Sequence, residues 1–77
     1  MESELLSDKF WKDDSWAHKH YQELIKKYPN KWVAIFNKKV ISFGNDIKQV
    51  ERKAEGITKD KEFPLLFIEK GAHVYKN

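Results

Sequence analysis

Two short apolar runs separated by only three residues constrain the fold of this chain more than any other feature. Trp32–Phe36 and Val40–Phe43 are rich in β-branched and aromatic side chains, which favour strands. The linker, residues 37–39, is too short for anything but a hairpin loop. Side chains alternate along a strand, and both alternate sets of the first run are apolar. We therefore expect this strand to be covered on both faces, by helices or by a second subunit.

A helix is predicted to precede the hairpin. From Ser15 to Tyr28 the apolar side chains recur at intervals of three and four and trace one helical face. Asp14 or Ser15 is a suitable N-cap, and Pro29 ends the helix because it disfavours the α conformation at Tyr28. The pattern indicates one continuous helix over residues 15–28.

A second helix is predicted after the hairpin. Asp46, followed by Gln49 three residues later, has the pattern of a capping box. Gly56 is a plausible C-terminal stop for this helix. Its buried stripe is predicted to comprise Ile47, Val50, Ala54 and Ile57.

The remaining apolar run predicts the fold class. Leu65–Ile68 lacks alternation, as expected of a strand buried on both faces, and residues 72–76 offer a possible fourth strand. The crossover from the second strand to the third should be right-handed and make these two strands parallel. We predict an α+β domain, ordered helix, β-hairpin, helix, strand, with the helices packed on a three- or four-stranded mixed sheet.

The first fourteen residues differ in charge from the rest. They hold five acids and two lysines, a net charge of −3, whereas residues 15–77 hold 13 basic and 7 acidic groups, a net charge of +6. Apolar side chains among these charges fit a short helix or a segment that packs on the domain. We assign residues 1–14 to an accessory acidic and aromatic arm and residues 15–77 to a single domain.

Composition excludes several classes of protein. The 77 residues include no cysteine, which rules out disulfide frameworks, thiolate zinc sites and cysteine nucleophiles. No apolar window reaches membrane-spanning length and no signal peptide is visible, so a cytoplasmic protein is expected. Arg52 is the single arginine among 15 basic residues. This lysine excess weighs against a dedicated reader of nucleic acid, because such proteins favour arginine.

The turn and strand at residues 28–34 carry a resemblance. Tyr-Pro-Asn-Lys-Trp-Val-Ala, with Gly44 and Asp46 at the next helix start, resembles the pattern of a family of short prokaryotic domains of unknown function. The resemblance covers residues 20–70. Asn30 stands where many members have glycine, and asparagine tolerates the left-handed conformation that the turn requires. Members are often encoded beside small retropepsin-like proteins, which implies a protein partner, and the family brings no catalytic residues.

The residues that usually carry catalysis form no recognisable set. His18 and His20 lie two apart, so a helix points them in different directions, and His73 would be a third metal ligand only by an unsupported tertiary contact. Asp13 and Asp14 are interpreted as helix caps rather than as an acid–base pair. The sequence shows neither a nucleophile elbow nor a phosphate loop. We expect no enzyme, metal or cofactor.

Aromatic side chains make up 14% of the chain, more than a small core needs. Trp32, Phe43 and Phe67 are expected in the core. Exposed aromatic side chains among polar groups are typical of interfaces. The candidates for partner binding are Trp11, Trp16, Tyr75 and whichever of Phe36 and Phe43 points outward.

Two functions fit these observations. The first is a small non-catalytic protein-interaction module, homodimeric, that acts as a partner or regulator of another protein. The alternative is a weak, sequence-tolerant nucleic-acid-binding protein that uses a lysine-rich hairpin and helix face as one stripe. Its candidate residues are Lys31, Lys38, Lys39, Lys48, Arg52 and Lys53.

Overall fold

The computed structural model describes residues 7–59 and 62–70. The chain forms helices α1 (Asp8–Lys19), α2 (Tyr21–Lys27) and α3 (Ile47–Thr58) and strands β1 (Lys31–Ile35), β2 (Val40–Gly44) and β3 (Leu65–Ile68). The α+β class and the order of helix, hairpin, helix and strand are confirmed. Within these two ranges, no helix combines the length and the apolar character needed to cross a membrane.

The sheet has the strand order β2-β1-β3, and β1 is antiparallel to both neighbours. β3 therefore runs in the same direction as β2, as expected, but it pairs with β1 rather than with β2. The part of the sheet that the structure describes is antiparallel, and the prediction of a mixed sheet was wrong. This order puts β1, the most buried of the three strands, in the centre, and its last three residues are fully buried. The possible fourth strand, residues 72–76, lies outside the described residues.

Helices cover both faces of β1, as its two apolar faces predicted. One face packs Val33 and Ile35 against Ala17 of α1 and Leu24 of α2. The opposite face packs Ala34 against α3 through the buried side chains of Val50 and Ala54, together with Phe63 before β3. The sheet is thus the middle of three layers, with α1 and α2 on one side and α3 on the other.

The helix predicted over residues 15–28 is two helices that meet at His20. The backbone of His20 leaves the α region (φ −103°, ψ 18°), and its Nδ1–H donates to the carbonyl oxygen of Trp16 at 2.9 Å. The same carbonyl also accepts from the backbone N–H of His20 at 3.0 Å, so the side chain adds a second bond to the last turn of α1. Neither proline nor glycine marks this break. The predicted end of α2 before Pro29 is confirmed.

α1 begins much earlier than the sequence pattern indicated. Ser7 is its N-cap, and the Ser7 hydroxyl accepts a hydrogen bond from the backbone N–H of Phe10 at 3.3 Å. Asp14 and Ser15 lie inside the helix and are not its cap. The predicted boundary between the accessory arm and the domain, between residues 14 and 15, therefore falls within α1, because one continuous helix spans it.

α3 begins as predicted and ends later. Asp46 is the N-cap, its carboxylate accepting from the N–H of Lys48 at 3.0 Å. The helix continues past Gly56 and ends at Lys59, which adopts the left-handed conformation (φ 61°). Ile57, predicted to be buried, is 60% exposed. It lies beside β2, the edge strand of the sheet, where no further strand of the described chain extends the surface beneath α3.

The β1–β2 hairpin turns on two residues rather than three. Asn37 and Lys38 both have φ of 56°, and the N–H of Phe36 donates to the carbonyl of Lys39 at 2.9 Å. Two consecutive residues with positive φ match the right-handed twist of a hairpin. Such conformations cost free energy in residues other than glycine. The turn therefore needs support from elsewhere in the fold.

Candidate functional site

A groove of about 680 Å³ runs along the outer face of α1, and Lys38 of the hairpin turn also lines it. We call it the α1 groove. Its helical residues recur at intervals of three and four, so they share one side of α1. The residues that shape it include Trp11, Lys12, Trp16, Lys19, His20 and Lys38.

The two tryptophans of the α1 groove differ in how much surface they offer. Trp11 is 51% exposed and meets Phe10 edge-on, with ring centroids 5.1 Å apart. Trp16 is half-buried against the core, and the His20 ring stacks on it at 4.6 Å. Trp11 is therefore the open aromatic surface of the groove, whereas Trp16 forms part of its floor. Both were partner-binding candidates, and the structure brings them together.

The charges around the α1 groove are unbalanced. Three exposed lysines line it (Lys12, Lys19 and Lys38), and Asp8 is the one carboxylate among its lining residues. The ion pairs within the described ranges join Lys9 to Asp13 and His18 to Asp14, so none of the three lysines is neutralised there. An anionic ligand would meet net positive charge in this groove.

The position of Lys38 in the groove depends on a buried carboxylate. Asp13, only 2% exposed, accepts hydrogen bonds from the backbone N–H groups of Asn37 (3.1 Å) and Lys38 (3.0 Å). Lys9 pairs with Asp13 at 3.3 Å, donates to the Asn37 side chain at 2.6 Å, and places its ammonium 4.0 Å from the Phe36 ring centroid. The interpretation of Asp13 as a helix cap was wrong, because this carboxylate anchors the hairpin turn to α1.

Replacing Lys38 with glycine should raise the free energy of unfolding by about 1 kcal/mol, since glycine adopts positive φ without steric cost. Lys39→Gly is the matched control: Lys39 lies outside the left-handed region, so this change should destabilise by about 0.5–1 kcal/mol. Urea unfolding of both variants measures the difference. Equal effects would contradict the role assigned to the turn conformation.

A second exposed apolar surface lies at the outer edge of β2. Phe43 is 52% exposed and packs on Tyr28, with ring centroids 4.8 Å apart. Ile57 and Lys53 of α3 border the same shallow groove, which measures about 380 Å³. We call Tyr28, Phe43 and Ile57 the Phe43 surface. Phe43 is thus the candidate that points outward, and its expected place in the core was wrong.

The other aromatic candidates take different places. Phe36 is half-buried, packing with the cluster under α3 and beneath the Lys9 ammonium. Trp32 is also half-buried, whereas Phe67 is 40% exposed and so does not belong to the core. These two rings pack together at 5.3 Å near the β3 edge. Tyr75 lies outside the described residues.

The six basic residues of the nucleic-acid alternative do not form one stripe. Lys31 donates to the side chain of Asn45 at 3.1 Å, and Lys38 lines the α1 groove. Lys39 borders a groove against α2, and Lys53 borders the Phe43 surface. Lys48 and Arg52 share a face of α3 with Glu51 and Glu55. The candidates are thus spread over several grooves, and those on α3 alternate with carboxylates.

The histidines occupy unrelated positions. His18 is exposed and its Nε2 lies 3.4 Å from the Asp14 carboxylate, one turn earlier on α1. His20 stacks on Trp16, and His73 is not among the described residues. In the part of the chain that the structure describes, no three His, Cys, Asp or Glu side chains come together as metal ligands.

Sequence reasoning missed Lys12 and Lys19 as members of a binding surface. Both lie on the outer face of α1, at helical spacing from Asp8 and Ser15. The signal was present, because Ser7 is a good N-cap and this spacing continues through residue 14 without a break. Extending the first helix back to Asp8 would have placed these lysines beside Trp11.

A comparison with family models identifies the family to which the chain belongs. Residues 23–71 match the model of a family of unknown function, DUF5678. The match covers more than half of the chain, which therefore belongs to this family. Neither the comparison with curated proteins nor that with solved structures found a significant match.

Proposed function

We propose that this member of the DUF5678 family is a small non-catalytic protein-interaction module that forms a homodimer through the Phe43 surface and acts as a partner or regulator of another protein. The observation that carries the proposal is the exposure of Phe43 (52%) and Ile57 (60%) around one groove at the sheet edge. Burying side chains of this size on association is favourable, and exposed apolar clusters of this kind are typical of interfaces.

A second copy fits the Phe43 surface for two reasons. A two-fold axis brings the same patch of both copies together, and an apolar patch is complementary to itself. β2 also pairs with only one strand of the described chain, β1, so its outer edge has backbone groups open to a further strand. The bulge between Val40 and Ser42 leaves Ser42–Gly44 as the regular stretch that could pair antiparallel with its copy. Lys53 would remain at the solvated rim.

The distribution of basic side chains favours an interaction module over a nucleic-acid-binding protein. Sequence-tolerant binding requires a continuous basic track beside stacking aromatic rings. Here five of the six candidate residues are spread over different grooves, and Lys48 and Arg52 are interleaved with Glu51 and Glu55. This arrangement supports a protein partner for the exposed aromatic side chains.

The self-association is tested with a matched pair of phenylalanine variants. Phe43→Ser should raise the dimer dissociation constant by roughly 30-fold, the effect of losing one well-buried interface anchor. Phe67 is also an exposed phenylalanine on an edge strand, and Phe67→Ser should change the dimer dissociation constant by less than about twofold. Sedimentation equilibrium over a range of protein concentrations gives both constants, and circular dichroism checks that each variant is folded. A wild-type protein that stays monomeric, or equal effects of both changes, would contradict the dimer.

A further inference from the structure

The α1 groove shares no residue with the Phe43 surface, and it offers a different chemistry. We infer that it binds an acidic segment of a partner protein, with an apolar side chain of that segment packed on Trp11 and its carboxylates paired with Lys12, Lys19 and Lys38. The inference rests on the proposal that the protein is an interaction module, but it does not require the dimer.

Charge complementarity identifies the class of partner. The three lysines around the groove have no ion-pair partner in residues 7–59 and 62–70, and Asp8 is the one carboxylate that opposes them. Lys12 and Lys19 lie seven residues apart, two turns of α1, and Lys38 comes from the hairpin turn. A segment with several carboxylates can therefore contact positive charge from two elements at once. Such contacts steer association and weaken with added salt.

The aromatic geometry favours a peptide over a nucleic acid. A single strand is held without sequence preference when successive bases stack on successive open aromatic faces. In this groove the indole of Trp16 is covered by the His20 ring on one side and packs against the core. Trp11 alone offers a largely open ring. One open indole among lysines is suited to a single apolar anchor with acidic neighbours.

The fold holds the groove in shape before any ligand binds. Asp13 and Lys9, one turn apart on the inner face of α1, fix the turn that carries Lys38. His20 is fixed to the Trp16 carbonyl by its own hydrogen bond. Preorganised side chains lose less conformational entropy on binding, which raises affinity without further contacts. The separation between Lys38 and α1 is thereby set by the fold.

The test is fluorescence anisotropy with a short labelled peptide of glutamates and aspartates around two central leucines. We expect wild-type protein to bind it with a dissociation constant in the micromolar range, and the combined change Lys12→Glu and Lys19→Glu to weaken binding at least tenfold. Trp11→Ala should also weaken it by about tenfold. Lys48→Glu reverses one charge on α3, away from the α1 groove, and should alter binding less than twofold.

Two further arms separate the possible causes. Lys38→Gly should weaken peptide binding while raising the stability of the fold, a combination that partial unfolding cannot produce. Phe43→Ser should bind the peptide as wild type does, so a failure of the dimer is distinguishable from a failure of this inference. An oligothymidylate of equal length that binds more tightly than the peptide, no peptide binding at millimolar protein, or equal losses in the α1 and α3 charge variants would overturn the inference.

Discussion

Replacing Asp13 with alanine is expected to lower the free energy of unfolding by about 3 kcal/mol, because it removes hydrogen bonds to a charged, buried acceptor. Two backbone N–H groups, those of Asn37 and Lys38, lose this partner, and Lys9 loses its ion pair. The two turn residues also hold positive φ, so losing their support releases a conformation that is costly on its own. For a domain of this size, with a total of roughly 4–12 kcal/mol, the loss is large.

Asp14→Ala is the control for this change. It removes the same charge from the next residue, but within residues 7–59 and 62–70 Asp14 pairs only with the exposed His18 at the surface of α1. We expect it to cost less than about 1 kcal/mol. Urea unfolding followed by tryptophan fluorescence compares the two variants. If Asp13→Ala were no more destabilising than Asp14→Ala, the buried carboxylate would not support the turn.

Amide hydrogen exchange locates the effect of Asp13→Ala within the molecule. Relative to wild type, exchange should accelerate more at the N–H groups of Asn37 and Lys38 than at those of β3, because the β3 groups do not depend on Asp13. The same variant should bind the acidic peptide less tightly, since Lys38 would no longer be held in the α1 groove. A stability loss spread evenly over the sheet would instead indicate a general defect of α1 packing.

The alternation of apolar side chains predicted the centre of this fold correctly. β1 is apolar on both faces, and the structure covers both with helices. The N-cap at Asp46 and the stop before Pro29 are local signals, and both are confirmed. Asn30 has φ of 58°, the left-handed conformation that asparagine tolerates in a turn. These features depend on a few neighbouring residues, so a single sequence specifies them.

The features that were missed depend on contacts between distant residues. Asp13 reaches a turn 24 and 25 positions away, and no local pattern distinguishes it from its neighbour Asp14. The same contact stabilises positive φ at Lys38, a residue type that sequence rules do not place there. The break at His20 carries no proline or glycine, and the stacking of its ring on Trp16 is a contact that the sequence pattern did not indicate. The α1 groove was missed because it requires both the longer helix and the anchored turn.

Replacing Ile35 with alanine should lower the free energy of unfolding by about 2–5 kcal/mol, comparable to the loss expected for Asp13→Ala. Ile35 is completely buried in the central strand and packs in the cluster beneath α1 and α2. Its removal leaves a cavity that surrounding side chains on the sheet fill only in part. Urea unfolding at low protein concentration measures this loss. A loss below about 1 kcal/mol would mean that the cluster repacks and that Ile35 is not central to it.

Ile57→Ala makes the same chemical change at the position that periodicity assigned to the core. Ile57 is 60% exposed, so the folded monomer should lose less than about 0.5 kcal/mol. If Ile57 contributes to a dimer through the Phe43 surface, however, unfolding is coupled to association and the wild type becomes more stable as protein concentration rises. Ile57→Ala should then match wild type in dilute solution and fall below it in concentrated solution. A loss independent of concentration would place Ile57 in the core after all, as its spacing from Ala54 first suggested.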